Sequence, residues 1–140
     1  MAVYGQGVDL SFIAESDLSA KQWNFVAAGS VAGYVVAASS GSARGAFGVL
    51  QNDPTAGGEA TVRVFGLTKL SASAAAGSAI VCGDYLVCGS HGKARLQSDV
   101  GASSAAVNAM ALESLATGTA IIKAFVMPFG VVNVGTDNTP

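Results

Sequence analysis

Short apolar clusters of strand length recur along the whole 140-residue chain, and Gly, Ser, Asp or Pro separates each cluster from the next. The clusters are rich in Val, Ile, Phe and Tyr, which is typical of many short β-strands. We therefore predict a mainly β fold. The predicted strands cover residues 23–27, 33–38, 46–50, 60–65, 68–72, 78–81, 85–88, 93–97 and 120–127.

The clearest strand pattern lies in residues 60–65. Val62 and Val64 alternate with Arg63, so the two valines share one face of a strand and the arginine lies on the other. We predict that this strand is half buried. Pro128 is expected to end the last strand, because proline cannot donate a backbone hydrogen bond to a neighbouring strand.

Residues 103–115 fit two structures. Their run of Ala, Met, Leu and Glu favours a helix by propensity, whereas the neighbouring segments look like strands. One short helix and a further strand both stay open.

The two ends of the chain differ from its middle. Residues near the start carry isolated anchors, Tyr4, Phe12 and Ile13, among Gly and acidic residues, and the last residues are polar without an anchor. The start is interpreted either as an extended arm that orders on a partner or as an ordinary first strand. The predicted boundaries are an N-terminal arm over 1–19, one β domain over 20–134 and a flexible C-terminal tail over 135–140.

Charged side chains make up only 11% of the chain, against roughly 25% in a typical soluble domain. With a net charge of −2, copies of such a surface repel one another weakly, which suits a protein that packs against others. The seven Lys and Arg residues are scattered singly, so nucleic-acid binding is not expected. Polar residues and glycines interrupt the longest charge-free stretch, 22–43, so no membrane span is expected. The first ten residues show no secretory signal, which indicates cytosolic synthesis.

Side chains that carry catalysis are scarce. His91 is the only histidine, and with Cys82 and Cys88 it would make a poor zinc site, because a fourth ligand is lacking and the spacing is unusual. The two thiols are interpreted instead as small buried hydrophobic groups beside a turn. No nucleophile elbow, phosphate loop or dinucleotide fingerprint occurs. We predict no catalytic, cofactor-binding or metal-binding residue, and therefore no enzyme and no cofactor.

Two aromatic residues stand near the start of the predicted domain. Trp23 and Phe25 are expected on the same face of one strand, where they could anchor the core or a subunit contact; the core is favoured. Together with Tyr4, Phe12 and Ile13 they form the predicted interface set.

A series of motifs in fixed order carries a family resemblance. The series is DLSAKQ at 17–22, GVLQNDP at 48–54, VRV at 62–64, then Gly83-Asp84 and Gly92-Lys93-Ala94. This order resembles the small capsid decoration proteins, or capsid cement proteins, of tailed bacteriophages over residues 17–126. One departure lies at 26–29, where such proteins often place a lysine after the valine.

The resemblance implies a single compact β-barrel or β-tulip-like domain that assembles as a homotrimer on the outside of the expanded phage head. Its partners would be the major capsid protein and its own copies, at local threefold positions, with terminal arms reaching neighbouring subunits. It would stabilise the head against the pressure of packaged DNA. The alternative is a head-fibre or tail-associated module that binds a receptor or glycan, for which exposed clustered aromatic residues would be the sign.

Overall fold

The computed structural model describes residues 7–39, 45–97 and 104–133, with the side chains of 104–106 and 128–133 excepted. Its strands are β1 (Gly7–Ala14), β2 (Phe25–Ala28), β3 (Tyr34–Ala37), β4 (Ala46–Leu50), β5 (Glu59–Ala74), β6 (Tyr85–Cys88), β7 (Ala94–Leu96), β8 (Ser104–Ala111) and β9 (Gly118–Asn133). The one helical element within these ranges is a 3₁₀ turn at Ser90–Gly92. The prediction of a mainly β, compact single domain is confirmed. No helix among the described residues is long and apolar enough to cross a bilayer.

All nine strands belong to one sheet, which closes on itself twice. The order is β1-β3-β2-β4-β5-β7-β6-β8-β9, and β5 also pairs with both β1 and β9. Strands β1 to β5 therefore form one ring of hydrogen-bonded neighbours, the first ring, and β5 to β9 form another, the second ring. Both rings are only partly closed, because β1 meets β3 through two residues and β5 meets β7 through one.

The long strand β5 belongs to both rings. Its first half pairs antiparallel with β1 as far as Gly66, and its second half pairs antiparallel with β9 from Gly66 onward. The two separate strands predicted at 60–65 and 68–72 are thus one strand of 16 residues. Gly66 has a positive φ of 112°, a conformation that glycine adopts without a steric penalty, and at this residue β5 passes from its pairing with β1 to its pairing with β9.

Each ring has its own hydrophobic core, and strands β2 and β4 separate the two. Phe25 and Val49 point into the core of the second ring, whereas their neighbours Val26 and Leu50 point into the core of the first ring. This is the two-residue alternation of a strand that is buried on both faces.

The predicted alternation in β5 is confirmed, but its second face is also covered. Val62 and Val64 both pack at the core of the first ring. Arg63 lies on the other face and is nevertheless only 8% exposed, so this part of β5 is buried on both sides rather than half buried.

Three sequence predictions need correction. The described part of 103–115 contains strand β8, so the helix alternative is wrong; Ser103 lies outside the described residues. In 78–81 only Ile80 forms a bridge, to Leu115. Strand β9 continues past Pro128. The β8–β9 register shifts between Val107 and Ala109, opposite Pro128, and residues in such a bulge are not paired with the neighbouring strand. The backbone N–H that proline lacks is therefore not needed there.

The N-terminal segment was given two interpretations, and in this structure Gly7–Ala14 is a strand of the sheet. Tyr4 and the tail 135–140 lie outside the described residues. The boundaries of arm, domain and tail stay predictions.

Candidate interaction surface

Strand β1 closes the first ring while most of its side chains remain exposed. Val8, Leu10 and Ile13 keep 50%, 46% and 39% of their surface in contact with solvent. Phe12 is half buried and packs edge-on against Phe47, with ring centroids 5.3 Å apart. The backbone hydrogen bonds to β5 therefore contribute much of what holds β1 in place.

An ion pair fixes β1 to β5. The guanidinium of Arg63 donates from Nε to Oδ1 of Asp9 at 2.6 Å and from Nη2 to Oδ2 at 2.9 Å, and from Nη1 to the Leu67 carbonyl. The hydrogen bonds and positive charge of Arg63 lower the pKa of the Asp9 carboxyl, against the opposing effect of partial burial. Gly7 permits this contact, since a Cβ there would lie 2.5 Å from the Phe65 oxygen and 2.8 Å from Cδ of Arg63.

An apolar row crosses the outer face of the sheet beside this ion pair. Val8 of β1 pairs with Phe65 of β5, whose ring meets Phe125 of β9 edge-on at a centroid distance of 5.1 Å. Phe125 pairs with Met110 of β8, which pairs in turn with Tyr85 of β6. We call these five side chains, one from each of five strands, the apolar ladder.

The apolar ladder is accessible to a partner. Phe65 and Tyr85 are 46% and 43% exposed, and Phe125 and Met110 are half buried. Cross-strand neighbours on one face lie within contact distance, so the five side chains form one continuous patch. Contiguous exposed apolar patches on a protein surface mark interaction sites.

The structure does not bring the predicted interface set together. Phe25 is completely buried in the core of the second ring, which agrees with the favoured prediction that it anchors the core. Trp23 precedes β2, with a positive φ of 69°, so the expectation that it shares a strand face with Phe25 is wrong. Its ring lies 5.5 Å from Nζ of Lys69 and lines a cavity of about 300 Å³. Phe12 and Ile13 lie on β1, away from Trp23.

Sequence analysis missed the members of the apolar ladder. A signal existed for Phe65, which falls on the face of Arg63 and so out of phase with the buried valines. Phe125 is likewise out of phase with Ile122 and Val126, which are buried. An aromatic residue opposite the core face of a strand is the sign that could have found both.

Both cysteines were expected to be small buried groups beside a turn, and for Cys82 this expectation is wrong. Cys82 is exposed, whereas Cys88 is half buried and its Sγ donates to the Gly89 carbonyl at 3.3 Å. Burial raises the pKa of the Cys88 thiol to about 12, so it stays protonated and is a poor nucleophile at neutral pH. No group of three potential metal-binding side chains occurs in residues 7–39, 45–97 and 104–133.

Comparison with solved structures identifies a similar fold. The chain is similar to the N base of the head fiber protein gp8.5 of bacteriophage phi29, at a TM-score of 0.59 and 17% sequence identity. The likeness covers 88% of this chain and 96% of that one. No protein-family model and no curated protein matches the sequence. At this identity the likeness shows the fold.

Proposed function

We propose that this protein is a structural protein of a phage particle that attaches to the outside of the expanded head as a decoration, or cement, protein. The observation that carries the proposal is the apolar ladder, a continuous exposed patch on a chain of low charge. A fold similar to the base of a phage head fiber supports it. So does the ordered motif series of the sequence. The similar protein is structural, which supports a role without catalysis.

The apolar ladder is suited to contact between copies of the chain. It lies on a sheet face and presents three aromatic side chains, the kind that contribute most energy at interfaces. Because no charged side chain belongs to the ladder, bringing the three ladders of a trimer together around its threefold axis removes apolar surface from water without burying a charge. In this proposal the ladder holds the subunits of a trimer at a local threefold position.

Attachment to the major capsid protein is assigned to β1 and the residues before it. Leu10 and Ile13 are exposed there and can fill pockets on the capsid, with Tyr4 a further candidate. A trimer places three such segments on the head at once. Three linked contacts gain roughly 10² to 10⁴ in overall affinity when the geometry lets all of them engage. Outward pressure from packaged DNA must then break several contacts together.

The alternative is a head-fibre base, which the structural likeness supports equally well. The likeness covers 96% of the phi29 fiber N base, so the same fold serves as the attached end of a fiber there. In that case a further segment or protein would extend from the domain. A module that binds a receptor or glycan would use aromatic side chains, and Phe65, Phe125 and Tyr85 are the accessible candidates.

Heads that lack the protein provide the functional test. They are expected to open at lower temperature and to release DNA more readily than complete heads, and added protein should restore their resistance. Equal resistance of both kinds of head would exclude the cement role while leaving the head-fibre role intact.

The role of the apolar ladder is tested by Phe65→Ser. We expect this variant to bind heads that lack the protein at least tenfold more weakly, since a lost trimer removes the gain from linked contacts. Ile121→Ser is the matched control, because Ile121 is 52% exposed on β9 but lies outside the ladder. Circular dichroism checks that both variants fold. Equal binding of the two variants would contradict the ladder's role.

A further inference from the structure

Strand β5 has an open stretch of edge between its pairing with β1 and its pairing with β7. Gly66 pairs with Gly7 of β1 and with Val126 of β9, so β1 and β9 lie on opposite edges of β5. Ala72 pairs with both β9 and β7, which places β7 on the same edge as β1. Among the described strands, none pairs with this edge between Gly66 and Ala72. We call residues 67–70 along this edge the edge gap.

Every second backbone N–H of β5 points into the edge gap. Lys69 pairs with Lys123 of β9. The N–H of Lys123 nevertheless donates to the Glu113 carboxylate, and its carbonyl accepts from the Leu112 N–H. Paired residues of antiparallel strands either exchange both backbone bonds or neither, so the Lys69 N–H points away from β9. Leu67, two residues earlier, has the same orientation.

Trp23 closes the far end of the edge gap. Its carbonyl accepts from the Ser71 N–H at 2.8 Å, and its ring lies 5.5 Å from Nζ of Lys69. The half-buried ring lines the cavity of about 300 Å³, and Lys69 and Lys123 line it as well. An indole at an open cavity offers a contact to a further aromatic side chain.

The six residues before β1 suit the edge gap in length and in charge. The gap takes four residues of strand, and residues 1–6, which lie outside the described part of the chain, supply six. None of the six has a charged side chain, and Val3 and Tyr4 are residue types that favour strands. Such a segment meets no desolvated charge of its own when it lies beside the two lysines.

We propose that residues 1–6 of the same chain occupy the edge gap as a continuation of β1. Gly7 pairs with Gly66, and the same register continued by three residues brings Tyr4 opposite Lys69. Side chains of directly paired residues share one face of a sheet, so the Tyr4 ring lies beside the Lys69 ammonium and near the Trp23 ring. The cation is attracted to the face of the tyrosine ring, which adds to the backbone hydrogen bonds.

This docking holds Tyr4 against the body of the free protein. The proposed function gives Tyr4 a role in capsid attachment, so the segment must leave the edge gap before Tyr4 can fill a pocket on the head. The docking itself does not depend on the proposed function, and its test involves no phage heads.

Hydrogen exchange of the full chain, followed by NMR, tests the docking. The amides of Leu67 and Lys69 should be protected in the native chain, because carbonyls of the segment accept from them. Tyr4→Pro should lower the protection of both by roughly tenfold or more, since proline cannot donate to β5. Val3→Pro is the matched control: in the proposed register its N–H points away from β5, where proline is tolerated.

The fluorescence of Trp23, the only tryptophan of the chain, gives a second readout. Acrylamide should quench it roughly twofold more strongly in Tyr4→Ala, because the neighbouring ring is lost. Tyr4→Phe keeps the ring and should resemble the native chain. Tyr85→Ala removes the same ring from β6, outside the cavity, and should leave the quenching unchanged.

Three results would overturn the proposal. The first is an absence of protection at Leu67 and Lys69 in the native chain, and the second is equal quenching in Tyr4→Ala and Tyr85→Ala. The third is protection that disappears on dilution, because a second copy would then supply the segment. The amides of Thr68 and Leu70 face β9 and should stay protected in every variant, which shows that the fold is retained.

Discussion

The two rings share strand β5 but are held together differently. The second ring is closed by β9, which pairs with β5 without interruption from Gly66 to Ala74. Its core combines large side chains such as Leu70 and Leu86 with many alanines, which let opposite strands approach closely. The first ring is closed by β1, whose side chains are mostly exposed and whose register shifts at Val8 and Asp9. The second ring is therefore the stable body, and β1 is the strand that costs least to release.

This difference suits the proposed attachment. A strand that carries exposed apolar side chains and is fixed by backbone bonds and one ion pair can exchange its pairing for a neighbour's sheet edge at small cost. The second ring meanwhile keeps the larger part of the apolar ladder, from Phe65 to Tyr85, in one fixed arrangement. Preformed surfaces bind more tightly because less conformational freedom is lost on association.

The largest expected loss of stability comes from truncating a buried leucine in either core. Leu70→Ala in the second ring and Leu18→Ala in the first should each lower the free energy of unfolding by about 2–5 kcal/mol, since both leucines are fully buried. Urea titration measures the loss. Hydrogen exchange should then separate the two: Leu70→Ala exposes the amides of all strands, whereas Leu18→Ala mainly exposes β1 to β4. The same exchange pattern in both variants would show that the rings do not differ.

Removing the ion pair between β1 and β5 is expected to cause the second-largest loss of stability. Arg63→Met should cost about 1–3 kcal/mol, because the Asp9 carboxylate and the Leu67 carbonyl lose charged hydrogen-bond donors. Faster proteolysis within β1 should accompany the loss. Lys123→Met is the control, because Lys123 and Glu113 form an ion pair at 3.4 Å that is exposed to solvent, and the loss of such a pair should change stability much less. Equal losses in both variants would mean that the Arg63 pair is no more than a surface contact.

Lowering the pH should release β1, because protonation of Asp9 breaks its ion pair with Arg63. The pKa of Asp9 is lowered in the folded protein, so its contribution is fully present above the ordinary aspartate pKa of about 3.9 and is lost as pH falls through the lower folded value. The protection of the β1 amides from hydrogen exchange, relative to their intrinsic rates, should therefore fall as the pH drops below about 4. Asp9→Asn should remove this pH dependence. Exposed carboxylates with lowered pKa, Asp17 and Glu113, remain in that variant and report any other acid effect.

The sequence predicts the features of the fold that neighbouring residues determine, but not the features that depend on pairing between distant segments. Strands β4 and β6 have the predicted bounds, because turn residues lie next to each apolar run in the sequence. Gly45 precedes β4 and the polar stretch 51–54 follows it, and Gly83-Asp84 and Gly89 flank β6. Strand β8 was ambiguous because alanine favours a helix in isolation, while here pairing with β6 and β9 decides. The apolar ladder depends on pairings between distant segments, such as Gly66 with Val126, which no local pattern encodes.

The backbone conformation of Trp23 could not be predicted from the sequence either. Its positive φ is fixed by contacts from two other strands: its N–H donates to the Leu50 carbonyl, and its own carbonyl accepts from the Ser71 N–H. A bulky residue adopts this conformation only when its surroundings enforce it. The aromatic spacing in the sequence therefore suggested a shared strand face that the folded chain does not have.

The smallest expected effect distinguishes the two cysteines. Cys82 is exposed in a turn, whereas Cys88 packs against the core of the second ring and its pKa is raised to about 12 by burial. A thiol reagent at pH 8 should modify Cys82 at once and Cys88 only as the ring opens. In the Cys82→Ser variant only Cys88 can react, so its slow modification can be measured by itself. Equally fast labelling of both thiols would show that the second ring opens readily and would contradict its role as the stable body.

Electron cryomicroscopy of phage heads to which this protein has been added tests the central claim most directly. We expect density for three copies around each local threefold axis on the outer surface of the head, with the apolar ladders facing one another and β1 toward the capsid. Single fiber-like projections from the head would favour the head-fibre alternative. Density confined to the tail, or none on the head surface, would contradict the account.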